Sequence, residues 1–133
     1  MISFIDEYDE FHVYQHCDGY PSGIIENLER SLTVSWKLPR FEAMKSAAAY
    51  IWAGIQNSVD WNEKNKSKFN WITNENAGSI YCTKSWENHG DLEYRYEVRA
   101  KGNDLMIQVY NMENDWQFMW GGTFTQFKAQ FSK

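Results

Sequence analysis

The strongest constraint on the fold is a strict two-residue alternation in residues 92–100. Apolar side chains alternate there with charged ones: Leu92, Tyr94, Tyr96 and Val98 against Glu93, Arg95, Glu97 and Arg99. Side chains with this period point to opposite faces of a β-strand. One face then packs on a core while the other meets water, as is usual in antiparallel sheets. We therefore expect an antiparallel sheet that is covered on one face.

Other segments show weaker strand patterns. Lys101-Gly102-Asn103-Asp104 is a turn sequence, and residues 105–112 are predicted to return as the second strand of a hairpin. Residues 10–17, 79–86 and 116–120 are also predicted as strands. In the first of these, one face is expected to carry Phe11, Val13 and Cys17, and the other His12, Tyr14 and His16.

Two helices are predicted between the strands at residues 10–17 and 79–86. Pro21 has a φ angle suited to a first helical turn, and apolar residues recur at helical spacing to about Thr33. The second helix is indicated by a stripe of Phe41, Met44, Ala48, Ile51 and Ile55. After these, Thr123 and Gln126 have capping-box spacing before a short C-terminal helix. Residues 1–133 are thus predicted as one α+β domain: a mainly antiparallel sheet of about five strands, with two central helices on one face.

Composition excludes several classes of function. A chain of 133 residues with 43% hydrophobic content can bury one core. Its net charge of −5 argues against nucleic-acid binding through phosphate neutralisation. No N-terminal signal and no apolar run of bilayer length are seen, which predicts a soluble cytoplasmic protein without membrane contact. Residues 1–9 are expected to form a solvated and mobile acidic arm, and a docking site for a basic partner in the run from Asp6 to Glu10 is the alternative.

Residues 57–77 are rich in Asn, Lys and Ser, which predicts a long loop. Loops of this length are uncommon unless they are functional or mobile. The aromatic residues within it are therefore candidates for contact with a partner: Trp61, Phe69 and Trp71.

Histidines and a cysteine near the strand predicted at residues 10–17 suggest either a metal site or a nucleophilic cysteine. The spacing of these residues disfavours both. In a strand, His12 and His16 would lie about 13 Å apart, at roughly 3.3 Å per residue, which is too far for both to hold one ion. His16 and Asp18 could converge on an ion only with help from elsewhere, such as His89. Adjacent strand residues point to opposite faces, so His16 is not placed to activate Cys17. Cys17 and Cys82 are expected to be free, buried thiols. The sequence predicts no metal, no cofactor and no catalytic residue.

The charged side of residues 92–100 has two interpretations. Glu93 and Glu97 alternate with Arg95 and Arg99, which favours an exposed ladder of compensating charges. Binding of an anion by Arg95 or Arg99 is the alternative.

The best candidate site is Asp18-Gly19-Tyr20-Pro21-Ser22-Gly23, where a predicted strand gives way to a helix. In the structural interpretation, Asp18 bonds the turn backbone and Gly19 adopts a conformation barred to other residues. In the functional interpretation, backbone N–H groups near the helix start receive a phosphate or carboxylate while an aromatic ring stacks on a base. No Lys follows the glycines, which disfavours nucleotide hydrolysis. The predicted ligand-binding residues are His16, Asp18, Gly19, Tyr20, Ser22, Gly23, Arg95 and Arg99.

The segment from His16 to Gly23 resembles a His-Trp-Asp-Gly-Tyr-Pro-type motif near the N-terminus of a group of small phage and bacterial proteins. Cys17 stands where that motif has an aromatic residue, and residues 80–91 and 92–96 are also similar. The resemblance transfers no activity to particular residues. It implies an accessory gene of a phage or mobile element, whose small acidic products inhibit host systems by stoichiometric binding.

The leading hypothesis is a non-catalytic binding protein that blocks or sequesters a host component, in a counter-defence role. Its target is either a host protein held by aromatic anchors or a nucleotide-like ligand at the turn. The alternative is a small enzyme that uses His16 and Asp18 as an acid/base pair on an anionic substrate. A third hypothesis is an interaction module within a larger complex.

Overall fold

The structure is a computed structural model that describes residues 1–35, 41–74, 79–85, 92–113 and 115–132. Its elements are β1 (Ile2–Ile5), β2 (Glu10–Gln15), α1 (Pro21–Ser35), α2 (Ala43–Asn65), β3 (Ile80–Thr83), β4 (Tyr94–Lys101), β5 (Asp104–Asn111), β6 (Gln117–Thr123) and α3 (Phe124–Phe131). The predicted α+β class is confirmed. Within the described ranges, no helix has the length and apolar character needed to span a bilayer.

The sheet has six strands in the order β3-β2-β1-β4-β5-β6. Strands β1 and β4 are parallel, and the other neighbouring pairs are antiparallel. The prediction of about five mainly antiparallel strands therefore missed one strand and the mixed character of the sheet. The predicted hairpin is present as β4 and β5, with Tyr96 opposite Val109.

The missed strand is β1, which lies inside the segment predicted to be a mobile acidic arm. Ile2 pairs with Val13 on one side and with Tyr96 on the other, and Phe4 is buried beside it. Burial of these apolar side chains stabilises β1 even though acidic residues follow it, because the strand ends at Ile5. Glu7, Tyr8 and Asp9 lie beyond the strand and are exposed in the turn before β2.

Asp6 ties this turn to the start of α2. Its Oδ1 accepts hydrogen bonds from the backbone N–H groups of Tyr8 and Asp9, each at 2.8 Å. Its Oδ2 accepts one from the backbone N–H of Ala43 at 2.7 Å, at the first residue of the helix. The bond from Ala43 is the largest cause of a lowered pKa for Asp6.

We expect the Asp6→Asn variant to lose about 1 kcal/mol of unfolding free energy at neutral pH, as for other helix caps. The folded-state pKa of Asp6 lies below the ordinary value of 3.8, so the carboxylate's contribution is complete above that value and is lost as pH falls through the folded pKa. Urea denaturation at several pH values measures the difference between wild type and variant. The difference should shrink below pH ~4; an undiminished difference there would contradict this role.

The core lies between one face of the sheet and the three helices. Its members from the sheet include Ile2, Phe4, Val13, Tyr96, Val98, Ile107 and Val109, and those from the helices include Ile24, Leu28, Ala47, Tyr50, Phe124 and Phe127. Side chains at the alternate positions of the strands point to the opposite side, which we call the far face. On strand β4 the far face carries Arg95, Glu97 and Arg99.

Helix α2 differs from its prediction in both length and buried face. It continues to Asn65, so the predicted loop over 57–77 is wrong for its first part; residues 66–74 follow the helix as turns, and 75–78 lie outside the described residues. Of the predicted stripe, Phe41, Ile51 and Ile55 are partly buried against the core, whereas Met44 and Ala48 are exposed. The buried face is instead formed by small residues and one aromatic: Ala43, Ser46, Ala47, Ala49, Tyr50, Ala53 and Gly54.

Small side chains bring α2 close to the sheet. A Cβ atom added to Gly54 would lie 2.7 Å from Cδ1 of Ile80, below any normal contact distance. The apolar stripe therefore predicted the orientation of α2 only in part, because close approach of the backbone places the small residues at the centre of the buried face.

The two cysteines are also placed differently from expectation. Strand β2 ends at Gln15, so Cys17 lies in the turn beyond it, and Cys82 lies on the edge strand β3. Both thiols are free and exposed, which corrects the prediction that they are buried.

Candidate functional site

The turn between β2 and α1 contains a residue with an unusual backbone conformation. Asp18 has a φ of 56°, and Gly19 has no positive φ, so the left-handed residue is Asp18 and the role predicted for Gly19 is wrong. An Asp side chain tolerates this conformation better than most because it hydrogen-bonds locally. The side chain of Asp18 does so by accepting a bond from the Tyr20 hydroxyl at 3.1 Å. This bond and the Asp18 charge raise the pKa of Tyr20.

Two side chains fix the turn to the body of the domain. Gln15 Nε2 donates to the carbonyl oxygens of Cys17 and Asp18, at 2.8 and 3.0 Å. The Tyr96 hydroxyl donates to the carbonyl of Gly19 at 2.6 Å, and burial raises the pKa of Tyr96, so this donor stays protonated. The turn is therefore preorganised by contacts to β2 and β4.

Gly23 is required by a close approach within this turn. Its N–H donates to the carbonyl of Tyr20 at 2.8 Å. A Cβ atom at this position would lie 2.0 Å from the Asp18 carbonyl oxygen. The N–H of Gly23 is thus paired within the protein, which removes one of the backbone donors near the helix start that were predicted to receive an anion.

A groove of about 590 Å³ opens beside the turn, between α1 and α2. We call it the α1–α2 groove. Cys17, Asp18 and Gly23 form its wall on the side of the turn, and Ile80 of β3 lies at its base. The helices contribute mainly polar side chains: Glu26, Asn27, Arg30, Asn57, Ser58, Asp60, Trp61, Asn62 and Lys64.

A chain of hydrogen bonds crosses this groove from β2 to the rim. The Tyr50 hydroxyl donates to Gln15 Oε1 at 2.5 Å, and burial raises the pKa of Tyr50, so it remains a donor. Asn27 Nδ2 donates to the same Gln15 oxygen at 3.5 Å, and Asn57 Nδ2 donates to Asn27 Oδ1 at 2.7 Å. Because two helices and a strand supply its members, this network fixes the amide groups of the groove in one arrangement.

The network ends at Arg30 on the rim. Arg30 Nη1 donates to Asn57 Oδ1 at 2.8 Å and to Asp60 Oδ2 at 2.7 Å. The same guanidinium lies 5.4 Å from the centre of the Trp52 ring. Arg30 is thus already neutralised by Asp60 and stacked on an aromatic ring.

The charge balance of the groove disfavours an anionic ligand. Its described lining has three carboxylates, Asp18, Glu26 and Asp60, against two cations, Arg30 and Lys64. A phosphate would meet a net negative lining, and repulsion between like charges is stronger in a partly enclosed site than in bulk water. An uncharged polar ligand meets no such penalty.

The other residues predicted at the turn do not line this groove. His16 Nδ1 lies 3.2 Å from the Tyr14 hydroxyl, and no hydrogen bond joins His16 to Asp18 in the described part of the chain. Tyr20 and Ser22 border a separate hollow of about 310 Å³ on the outer side of α1. Of the predicted turn residues, the structure therefore brings Asp18 and Gly23 into the groove.

Arg95 and Arg99 lie on the far face, away from the turn. Arg95 is only 1% exposed and bonds two carboxylates, Glu97 at 2.8 Å and Glu10 at 3.1 Å. The prediction that these charges form an exposed ladder is therefore wrong for Arg95 and Glu97, which are buried. Trp116, in the turn between β5 and β6, places its ring 5.0 Å from the Arg95 guanidinium. The ring covers the Arg95–Glu97 pair, which the alternation of apolar and charged residues had placed on the face predicted to meet water.

The aromatic residues predicted to contact a partner divide between two places. Trp61 is half-exposed on α2 and lines the groove. Phe69 and Trp71 lie beyond the helix with ring centroids 5.5 Å apart, and both are exposed. Asn62 holds the segment after them by donating to the carbonyl of Thr73 at 3.1 Å.

Sequence reasoning missed the amide residues of the groove. Asn27 falls between Ile24 and Leu28 in the apolar stripe of α1 and is itself buried. A polar residue at a core position must find partners, so it signals a buried network. Asn57 lay in the predicted loop, where a polar residue carries no such signal.

Metal ligation finds no support in the described residues, where no three His, Cys, Asp or Glu side chains are grouped to hold an ion. His12 bonds Ser3 Oγ at 2.7 Å, and burial lowers its pKa. His89 lies outside the described residues. Comparisons with protein-family models, with curated proteins and with solved structures found no match.

Proposed function

We propose that this chain is a non-catalytic binding protein that holds a small, uncharged, nucleoside-like ligand in the α1–α2 groove. One observation carries the proposal. The turn and Trp61 were predicted from sequence as parts of two different sites, and they line the same groove together with fixed amide groups.

Size and lining both support a ligand of this class. Small-molecule sites usually have volumes of roughly 300–1,000 Å³, and the groove holds about 590 Å³. The paired amides of Gln15, Asn27 and Asn57 hold the polar lining in one arrangement, so the groove is preorganised for a polar ligand of this size. The exposed ring of Trp61 offers a surface on which a base can stack, as aromatic rings do in other base-binding proteins.

Sequestration fits the groove better than catalysis. The acid/base pair of the alternative hypothesis would need His16 and Asp18 on one substrate, but His16 contacts Tyr14 and does not line the groove. A protein that removes a nucleoside-like signal by binding it needs no reacting group. The counter-defence role implied by the resemblance to phage proteins is proposed on this basis.

The test is a thermal unfolding series with adenosine, guanosine, cytidine, uridine, ATP and inorganic phosphate. A ligand present at about 100 times its Kd stabilises the folded state by about 2.7 kcal/mol, so at least one nucleoside should raise the melting temperature. Trp61→Ala should weaken that nucleoside's binding about tenfold, by loss of one stacking contact.

Trp71→Ala is the matched control, because Trp71 is also an exposed tryptophan but does not line the groove. Its melting shift with the nucleoside should equal that of wild type. If no nucleoside raises the melting temperature, the proposal fails. A larger shift with ATP than with adenosine would show that the site takes an anion, against the charge argument.

A further inference from the structure

A second surface lies on the far face, at the turn from β5 to β6. Trp116 is 47% exposed and Phe118 is 60% exposed, and the Tyr110 ring stands edge-on between them. The centroid of the Tyr110 ring lies 5.3 Å from that of Trp116 and 5.8 Å from that of Phe118. We call these three rings the Trp116 patch.

The patch is fixed from below by the buried charges of the far face. Arg95 lies under Trp116, and the Tyr110 hydroxyl donates to Glu97 Oε1 at 3.1 Å. These contacts hold the rings in place while their outer surfaces stay exposed. Preorganised aromatic rings of this kind are the side chains that dominate the energy of protein interfaces.

The charge around the patch is negative. Arg95 and Arg99 both contact Glu97, and Arg95 also contacts Glu10, so the cations of the far face are matched by carboxylates. Glu113 and Asp115, beside Trp116 in the turn, are exposed and form no ion pair within the described ranges. Exposed ring faces beside unmatched carboxylates attract Lys and Arg side chains through both ion pairing and cation–π contact.

The side of the patch next to β6 is exposed to solvent, with Phe118 60% and Met119 46% exposed. This strand lies at the edge of the sheet, and residues 117–123 include no charged residue and no proline. The pairing of β6 with β5 is irregular between Val109 and Tyr110, which interrupts a regular strand edge beside Phe118. A segment can contact Phe118 through its exposed ring without continuous strand pairing to β6.

We infer that the Trp116 patch is a docking surface for a basic segment of a partner protein. This goes beyond the proposed function, because the patch and the α1–α2 groove lie on opposite faces of the sheet. The two sites together would let one chain hold a small ligand and a protein at once.

The test uses three fluorescent synthetic peptides of one length and spacing, rich in Lys and Arg, in Gln, or in Glu. Fluorescence anisotropy should show the basic peptide binding at least about tenfold more tightly than the others, with the advantage reduced by added salt. Glu113→Gln/Asp115→Asn should remove most of that preference. Phe118→Ala should weaken binding of the basic peptide about tenfold.

The control is Phe69→Ala/Trp71→Ala, which removes an equally exposed aromatic pair elsewhere and should leave binding unchanged. Phe118 and the two acidic residues are surface positions, so their variants test the patch without removing the Trp116 ring that covers Arg95. Equal binding of the three peptides, or equal losses in patch and control variants, would overturn the inference. Sedimentation showing a dimer that Phe118→Ala dissociates would also overturn it, because the occupant would then be a second copy.

Discussion

The Arg95→Ala variant is expected to lose about 4 kcal/mol of unfolding free energy, the largest effect we expect of any single substitution of a charged residue here. Arg95 is 1% exposed and donates to Glu97 Oε2 at 2.8 Å. Removing it leaves the Glu97 carboxylate, whose side chain is only 10% exposed, without its closest cation. A buried charge without its partner costs more than the ion pair itself contributes.

Arg99→Ala is the matched control for this prediction. Arg99 contacts the same carboxylate at 3.4 Å, but its side chain is 40% exposed. Exposed ion pairs contribute roughly 0–1 kcal/mol, so this variant should lose less than about 1 kcal/mol. Urea denaturation of both variants measures the difference, and equal losses would contradict the burial argument.

A double variant separates the cost of an unpaired charge from the loss of packing. Arg95→Met/Glu97→Leu removes both charges and keeps much of their volume. Replacing a buried ion pair by apolar residues is often nearly neutral, so the double variant should be more stable than Arg95→Ala. Glu10, the other carboxylate on Arg95, is partly exposed and can turn to water.

The second large effect is expected from Gly23→Ala, which should cost about 3 kcal/mol. Helix propensity alone predicts the opposite sign, a gain of about 1 kcal/mol, because Gly23 lies in the first turn of α1. The clash decides the outcome, since the new Cβ would lie 2.0 Å from the Asp18 carbonyl oxygen, and a backbone atom does not move aside cheaply.

Gly19→Ala is the control in the same turn. Gly19 has no positive φ, and a Cβ there would meet nothing closer than the Gln15 carbonyl oxygen at 3.6 Å. This variant should stay within about 0.5 kcal/mol of wild type, as is usual for a substitution that breaks no contact. Thermal and urea unfolding compare the two. A stabilised Gly23→Ala variant would show that the turn does not approach the helix as described.

The candidate site was only partly predictable from sequence. The turn was found because Asp, Gly and Pro have strong local preferences that act within a few residues. Its polar lining was not, since Gln15, Asn27 and Asn57 come from a strand and two helices and meet only through packing. Arg95 shows the same limit: the alternation correctly placed its side chain on the other face of the strand from Tyr96, but gave no sign that Trp116 would cover it.

By itself, the sequence determined the features that depend on neighbours along the chain. These are the β4–β5 hairpin, the start of α1 at Pro21, and the capping box of Thr123 and Gln126 that begins α3. Tertiary structure alone decided the insertion of β1 beside β4, the buried face of α2 and the assembly of the groove. The physical reason is that periodicity shows which residues share a face, whereas the energy of burial depends on what distant segment covers that face.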